Sequence, residues 1–291
     1  MFFSSTKKTI QIRHALPIFT SLLNIIFSYD PVGYGLPYNY LMFTDSREQL
    51  VEVSCQILCV LLETNIQLNR DQTDFQLDEK VFNTNEDDPN LSSPSSSSSN
   101  NTNLFISYIS RIHRDEDFNF MLKGFCRLLN NPMIQTFLPG SCKKISFYQE
   151  LLILFWKFCD LNKKFMYFVL KSSEILEILV PVLYFLVDAR ADTSKIGLIH
   201  IGVFILLLLS GERNFGVRLN KPYVSRVPMD IPVFSGTHAD LLIIAFHKLI
   251  TSTNQRLQPL YDCLLTIIVN ISPYIKSLCM VSSTKLIHLL E

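Results

Sequence analysis

Neither sign of charge prevails in this chain, and charge itself is sparse. The 26 basic and 26 acidic residues cancel, and charged side chains make up only 18% of the sequence. A typical soluble domain has about 25%. A neutral balance gives no electrostatic footprint for a phosphate backbone, so nucleic acid is not an expected partner. Common catalytic signatures are missing too: there is no Walker A loop, Gly-x-Gly-x-x-Gly, Gly-x-Ser-x-Gly or His-Glu-x-x-His. His113-Arg114-Asp115 copies a fragment of a kinase catalytic loop, but Glu116-Asp117-Phe118 follows and no other kinase element exists. Met1-Phe2-Phe3-Ser4 leads into no apolar core with a small-residue cleavage site, so it does not read as a signal peptide. The sequons at Asn90, Asn100 and Asn270 therefore carry no expectation of glycosylation. Strand-like alternation is scarce, which argues against a sheet-based core.

The seven cysteines, Cys55, Cys59, Cys126, Cys142, Cys159, Cys263 and Cys279, are odd in number and scattered. That pattern favours reduced, buried thiols over a disulfide framework. Cys55 and Cys59 stand at i and i+4 and could share a metal. No second Cys/His pair has zinc-site spacing, so core packing is the favoured reading and no cofactor is expected.

What the chain does have is apolar residues, 48% of the total, in enough length for a sizeable core. Phe118, Met121, Leu122, Phe125, Cys126 and Leu129 recur at helical spacing. Leu50, Val53, Ile57 and Leu61 form a second stripe, and Leu257, Leu260, Leu264, Ile267, Ile268 and Ile271 a third. Ser46-x-x-Gln49 and Ser146-x-x-Gln149 have capping-box spacing, and Thr237 or Asp240 can cap a helix beginning near Leu241. Tyr29–Pro37, Asn130-Asn131-Pro132 and Leu138-Pro139-Gly140 read as breaks. The expected fold is all-α: irregular HEAT- or armadillo-like stacked helical pairs, although no sequence period of the usual length is visible.

Two apolar runs, Ile175–Val187 and Ile196–Leu209, are joined by the charged turn Asp188–Lys195. Both fall short of the roughly 20 residues that a spanning helix needs. They read as two buried antiparallel helices, with a transmembrane hairpin as the rival. Residues 83–103 are nearly free of apolar side chains and contain the serine run Ser95–Ser99. Such a segment is expected to be a disordered insert, with phosphorylation as a second use. It separates residues 1–82 from residues 104–291 of one helical domain. The chain stops inside an apolar helical pattern at Lys285–Glu291, which reads as a fragment of something longer.

Gly211–Asp240 stands apart. It follows one greasy run, precedes another, and shows neither helical nor strand period. Segments of this length in compact domains are commonly functional or disordered. Phe215, Val217, Leu219, Tyr223, Val227, Ile231, Val233 and Phe234 give it too much apolar surface for a solvated linker. It is expected to be an ordered strap, extended over Arg226–Phe234 because Pro228 and Pro232 constrain the residues before them. The candidate residues for structure or interaction are Arg213, Asn214, Phe215, Arg218, Lys221, Tyr223, Arg226, Asp230, His238 and Asp240. Arg213, Arg218, Lys221 and Arg226 suit a weak anion or phosphoinositide site, but bonds to carbonyls and helix ends are the favoured role. His238 and Asp240 are near enough for a pair, with capping the simpler use. His200, inside an apolar run, reads as a hydrogen-bonded core residue.

Leu209–Tyr223, Val227–Val233 and Gly236–Asp240 together resemble the Hid-1 (high-temperature-induced dauer formation) family. Arg13–Pro17, Tyr29–Gly35, Ser110–Arg114 and Asp188–Asp192 add to the likeness, which covers nearly the whole chain outside the insert. The resemblance implies a non-enzymatic, cytosol-facing protein, peripheral on Golgi and trans-Golgi membranes. It implies a role in dense-core vesicle formation and in cargo sorting for regulated secretion, with other trafficking proteins as partners. Family members are larger and carry a myristoylated N-terminal glycine. Phe2 follows Met1 here, so that signal is absent and membrane contact is expected through parts outside this chain.

Overall fold

Consecutive amphipathic helices can bury their apolar faces only against one another, and here they do so in two rows. The computed structural model describes residues 2–31, 47–63, 103–133, 145–224, 227–251 and 257–289, with side chains from residue 14 onward. The first part holds α1 (Phe2–Ser28), α2 (Arg47–Leu61) and α3 (Leu104–Arg111). Then come α4 (Asp115–Asn130), α5 (Tyr148–Leu161) and α6 (Lys163–Lys171). The chain continues through α7 (Ile175–Ala189), α8 (Ile196–Ser210) and α9 (Arg213–Arg218). It ends in α10 (His238–Thr251), α11 (Gln258–Ile271) and α12 (Met280–His288). No strand occurs among the described residues; one isolated bridge joins Pro222 and Thr237.

In one row α1, α4, α7, α10 and α12 pack in that order; in the other, α2, α5, α8 and α11. Each helix of the first row also packs on its successor in the second: α1 on α2, α4 on α5, α7 on α8, α10 on α11. The short helices α3, α6 and α9 follow the pairs as a third element. This is the expected all-α fold of stacked helical pairs. The repeat is structural and leaves no sequence period, because third helices and connections of unequal length separate the pairs.

The stripe on α4 is buried as expected, and so is the stripe that ends α11. Asp115, Glu116 and Asp117 in the first turn of α4 and Arg127 in its last turn complement the helix dipole. The expectation for α2 is corrected. Leu50, Val53 and Ile57 are exposed, and Val51, Ser54, Cys55 and Leu58 face the core. This helix has apolar residues on more than one side, so the pattern alone did not set its phase. Ser146 does not cap α5 either, which starts at Tyr148 after Phe147 with no side-chain cap. Ser46, Cys142, residues 83–102 of the insert, and the breaks at 32–37 and 138–140 lie outside the described residues. Asn103, counted in the insert, is the N-cap of α3.

Aromatic rings fill the space between the rows. Phe27 and Phe125 lie 4.7 Å apart, Phe125 and Phe155 5.2 Å, and Phe118 and Phe165 5.6 Å, mostly edge to face. Gly124 lets α4 come this close to α1, since a Cβ there would sit 2.6 Å from the Phe27 ring. Arg127 donates to the carbonyls of Tyr29 (3.1 Å) and Phe27 (2.5 Å), satisfying the end of α1.

The pair of apolar helices is α7 and α8. Most of α7 is buried, and α8 sits between α5, α7 and α11. Thr193–Ser210 is long and apolar enough to cross a membrane, yet half of it is buried inside the protein. His200 is partly buried and donates its Nδ1 proton to the Ile196 carbonyl at 2.9 Å. Cys55 is buried and Cys59 half-buried, and burial raises the thiol pKa of Cys55 and lifts that of Cys59 to about 12. Among the described residues no group of three or more His, Cys, Asp or Glu could hold a metal.

One buried amide joins α3, α5 and α6. Asn162 donates to the Ile109 (2.7 Å) and Ile112 (2.9 Å) carbonyls and accepts from the Phe165 N–H at 3.0 Å. Asn162→Ala strands these groups, each costing about 1–3 kcal/mol. Urea denaturation should show a loss of about 3 kcal/mol in unfolding free energy; a loss below about 1 kcal/mol would mean that water replaces the amide.

Candidate interaction strap

A six-residue helix is too short to announce itself by periodicity, and the strap begins with one. Arg213–Arg218 is helical as α9, which corrects the expectation of a wholly irregular segment. Phe215 and Gly216 are buried on it. Gly216 meets Tyr274 so closely that a Cβ would lie 2.6 Å from the ring. Asn220 then pins the strap to the chain beyond α11: its amide donates to the Tyr274 carbonyl at 2.8 Å, and its oxygen accepts from the Lys276 N–H at 2.8 Å.

After α9 the chain makes an excursion whose two ends meet. The Tyr223 N–H donates to the Gly236 carbonyl (2.9 Å), the His238 N–H to the Lys221 carbonyl (3.1 Å) and the Ala239 N–H to the Leu219 carbonyl (3.0 Å). Tyr223 stacks on Phe234 at 5.7 Å, and the His238 ring stands edge-on to Tyr223 at 5.5 Å. A compact excursion closed at its base is an Ω-loop. Val227, Met229, Ile231 and Phe234 pack against the core, while Val224 and Val233 are 84% and 98% exposed. Asp230 reaches across to Arg190, and to Lys248 at 3.1 Å. Those two cations hold its carboxyl below the ordinary range.

His238 and Asp240 do not pair. The His238 Nδ1–H donates to the Lys221 carbonyl at 2.8 Å, and burial lowers the pKa of this ring. Asp240 is buried and serves two ends of the fold. One carboxylate oxygen accepts from the Thr237 N–H (2.7 Å) and hydroxyl (3.0 Å), capping α10. The other accepts from the Cys279 N–H (2.8 Å) and the Ser282 hydroxyl, which fixes the start of α12. Burial alone would raise its pKa; the bonds from Ser282, Thr237 and Cys279 outweigh that and lower it.

Arg218 donates to the Lys171 carbonyl at the end of α6. Arg213, Asn214 and Lys221 are exposed on the surface. Arg226 lies outside the described residues. Sequence reasoning missed Asn220, Arg190 and Ser282, whose long-range partners Tyr274, Asp230 and Asp240 are tens of residues away and leave no local signal.

Phe215→Ala should lower the unfolding free energy by about 3–4 kcal/mol, and Tyr223→Ala by less because its ring is half-buried. Chemical denaturation reads both, and equal losses would contradict the packing. Asp240 has a lowered pKa when folded, so its stabilisation is complete above about pH 4, the ordinary carboxylate value. It is lost as pH falls through the lowered value. The stability gap between wild type and Asp240→Asn should therefore be widest near neutrality and shrink in acid. A gap that stays constant would assign the loss to shape alone.

Comparison with known proteins matches residues 5–291 to the family described as high-temperature-induced dauer-formation protein. "Protein HID1" of Mus musculus is 64% identical over 100% of this chain and 35% of its own length. "Protein HID1" of Dictyostelium discoideum is 38% identical over 93% of this chain and 30% of its own. The "Ubp5-interacting protein ftp105" of Schizosaccharomyces pombe is 26% identical over 92% of this chain and 28% of its own. The chain thus spans about a third of the length of the curated relatives it matches. No solved structure matches. With a family model matching nearly every residue, strap included, the chain belongs to the Hid-1 family.

Proposed function

We propose that these helical pairs are a section of a non-enzymatic scaffold that works on the cytosolic face of Golgi and trans-Golgi membranes. Its role there is dense-core vesicle formation and cargo sorting for regulated secretion, carried out by holding other trafficking proteins. The observation that carries the reading is family membership over residues 5–291 on a two-row helical architecture. Stacked pairs offer long continuous surfaces suited to holding partners. The polar groups of the strap also suit this reading. His238, Asp240 and Arg218 are engaged with a carbonyl, two helix starts and a helix end, which are structural duties.

Membrane contact is assigned to parts of the larger protein outside these residues. The rival hairpin of α7 and α8 would have to leave α4, α5, α10 and α11, breaking the core for a bilayer.

Alkaline carbonate extraction of membranes carrying this chain and, separately, a full-length relative tests the assignment. The relative should be released from the pellet and the chain should already be soluble. Retention of the chain in a detergent-soluble pellet would show that α7 and α8 enter the bilayer and would overturn the scaffold reading.

A further inference from the structure

A groove of about 530 Å³ opens between the turn that joins α3 to α4 and the outer face of α6. Its apolar surface is aromatic. Phe118 is buried and fixed by Phe165 at 5.6 Å and Phe168 at 5.5 Å, so the floor is rigid. Tyr167 is 52% exposed beside it. The rim is basic: His113, Lys164 and Lys171 line the groove, against the single carboxylate of Asp115. The Lys171 ammonium stands 4.4 Å over the Tyr167 ring. Among the described residues no ion pair uses Lys164 or Lys171, although Lys163 next door pairs with Asp160. These cations form a local positive excess on a chain with no net charge.

The strap reaches this place as well. Arg218 donates to the carbonyl of Lys171, so α9 braces the end of α6 that carries the groove's outer cation. At the other wall, Arg114 precedes α4 without a side-chain cap bond.

We propose that this groove docks an acidic peptide segment that also carries an apolar side chain. The aromatic floor would take the apolar side chain, and Lys164, Lys171 and His113 its carboxylates. A bare phosphate or a sugar headgroup would leave the three aromatic side chains Phe118, Tyr167 and Phe168 without an apolar partner. A groove of this size accommodates a short peptide stretch and lies within the usual range for ligand sites. The proposal deepens the scaffold reading by giving the chemistry of one partner.

The test is fluorescence anisotropy with the whole 291-residue chain. One fluorescein-labelled peptide alternates glutamate with leucine; a matched peptide alternates lysine with leucine. Saturable binding of the glutamate peptide alone is expected. The double variant Lys164→Glu/Lys171→Glu should weaken it by about ten-fold or more. Tyr167→Ala should weaken it as well, whereas Lys163→Glu, on the same helix but outside the groove, should leave it unchanged. All substituted side chains are exposed, and unchanged melting curves confirm the fold. Equal binding of both peptides, no saturation, or no effect of the double variant would overturn the proposal. So would preferential binding to phosphatidylinositol-phosphate vesicles that the double variant abolishes, which would make the site one for lipid phosphate. Failure here would remove the groove and leave the scaffold reading to the membrane extraction.

Discussion

Every helix ends in backbone groups that its own ladder cannot satisfy, and stacking helices in pairs brings those ends under neighbouring chain. In this protein, asparagine amides meet much of that need. Asn103 donates to the carbonyl of Leu61 at the end of α2 while capping α3 through the Phe105 N–H. Asn130 donates to Cys126 on its own helix and to Glu177 on α7, both at 2.8 Å. Asn131 accepts from the Ile145 N–H, and Asn162 and Asn220 do similar work further along. An amide both donates and accepts, so one side chain can close a helix end and grip its neighbour. The apolar contacts between rows are nondirectional and would tolerate sliding. These amide clamps set the register, and Asp240 does the same for α10 and α12 with a charge.

The division of labour explains the composition. Charges are few because the polar work falls to neutral amides, which can be buried without the large desolvation cost of an ion. Phenylalanine is abundant, at 22 residues, because rings at right angles fill the irregular space where helices of unequal length cross. Ion pairs remain at the periphery. The Asp230 bridge to Arg190 and Lys248 is mostly solvent-exposed on the carboxylate side and adds orientation more than stability.

Fold class was legible because it depends on period, and the α4 and α11 stripes are long and clean. The phase of α2 was not, since Leu50 and Val51 are both apolar and only the neighbouring helices decide which is turned inward. For α9 the reason is length: Phe215 and Leu219 stand at helical spacing, but one turn and a half is no period. The capping role of Asp240 could be read from its spacing to Thr237. Its second set of partners, Cys279 and Ser282, is a long-range fact with no local trace. The groove was hidden for the same reason. His113 and Lys171 lie far apart in sequence, and only the packing of α6 on α4 makes them neighbours.

The closed neck of the Ω-loop separates two properties of the chain that are usually coupled. Three backbone bonds and the Tyr223–Phe234 stack hold its ends together. The entropy of closing such an excursion grows only logarithmically with its length. Exposed positions of the excursion such as Val224 and Val233 can therefore change while the helical rows keep their register. This gives one place where the surface can change without the helical frame being rebuilt.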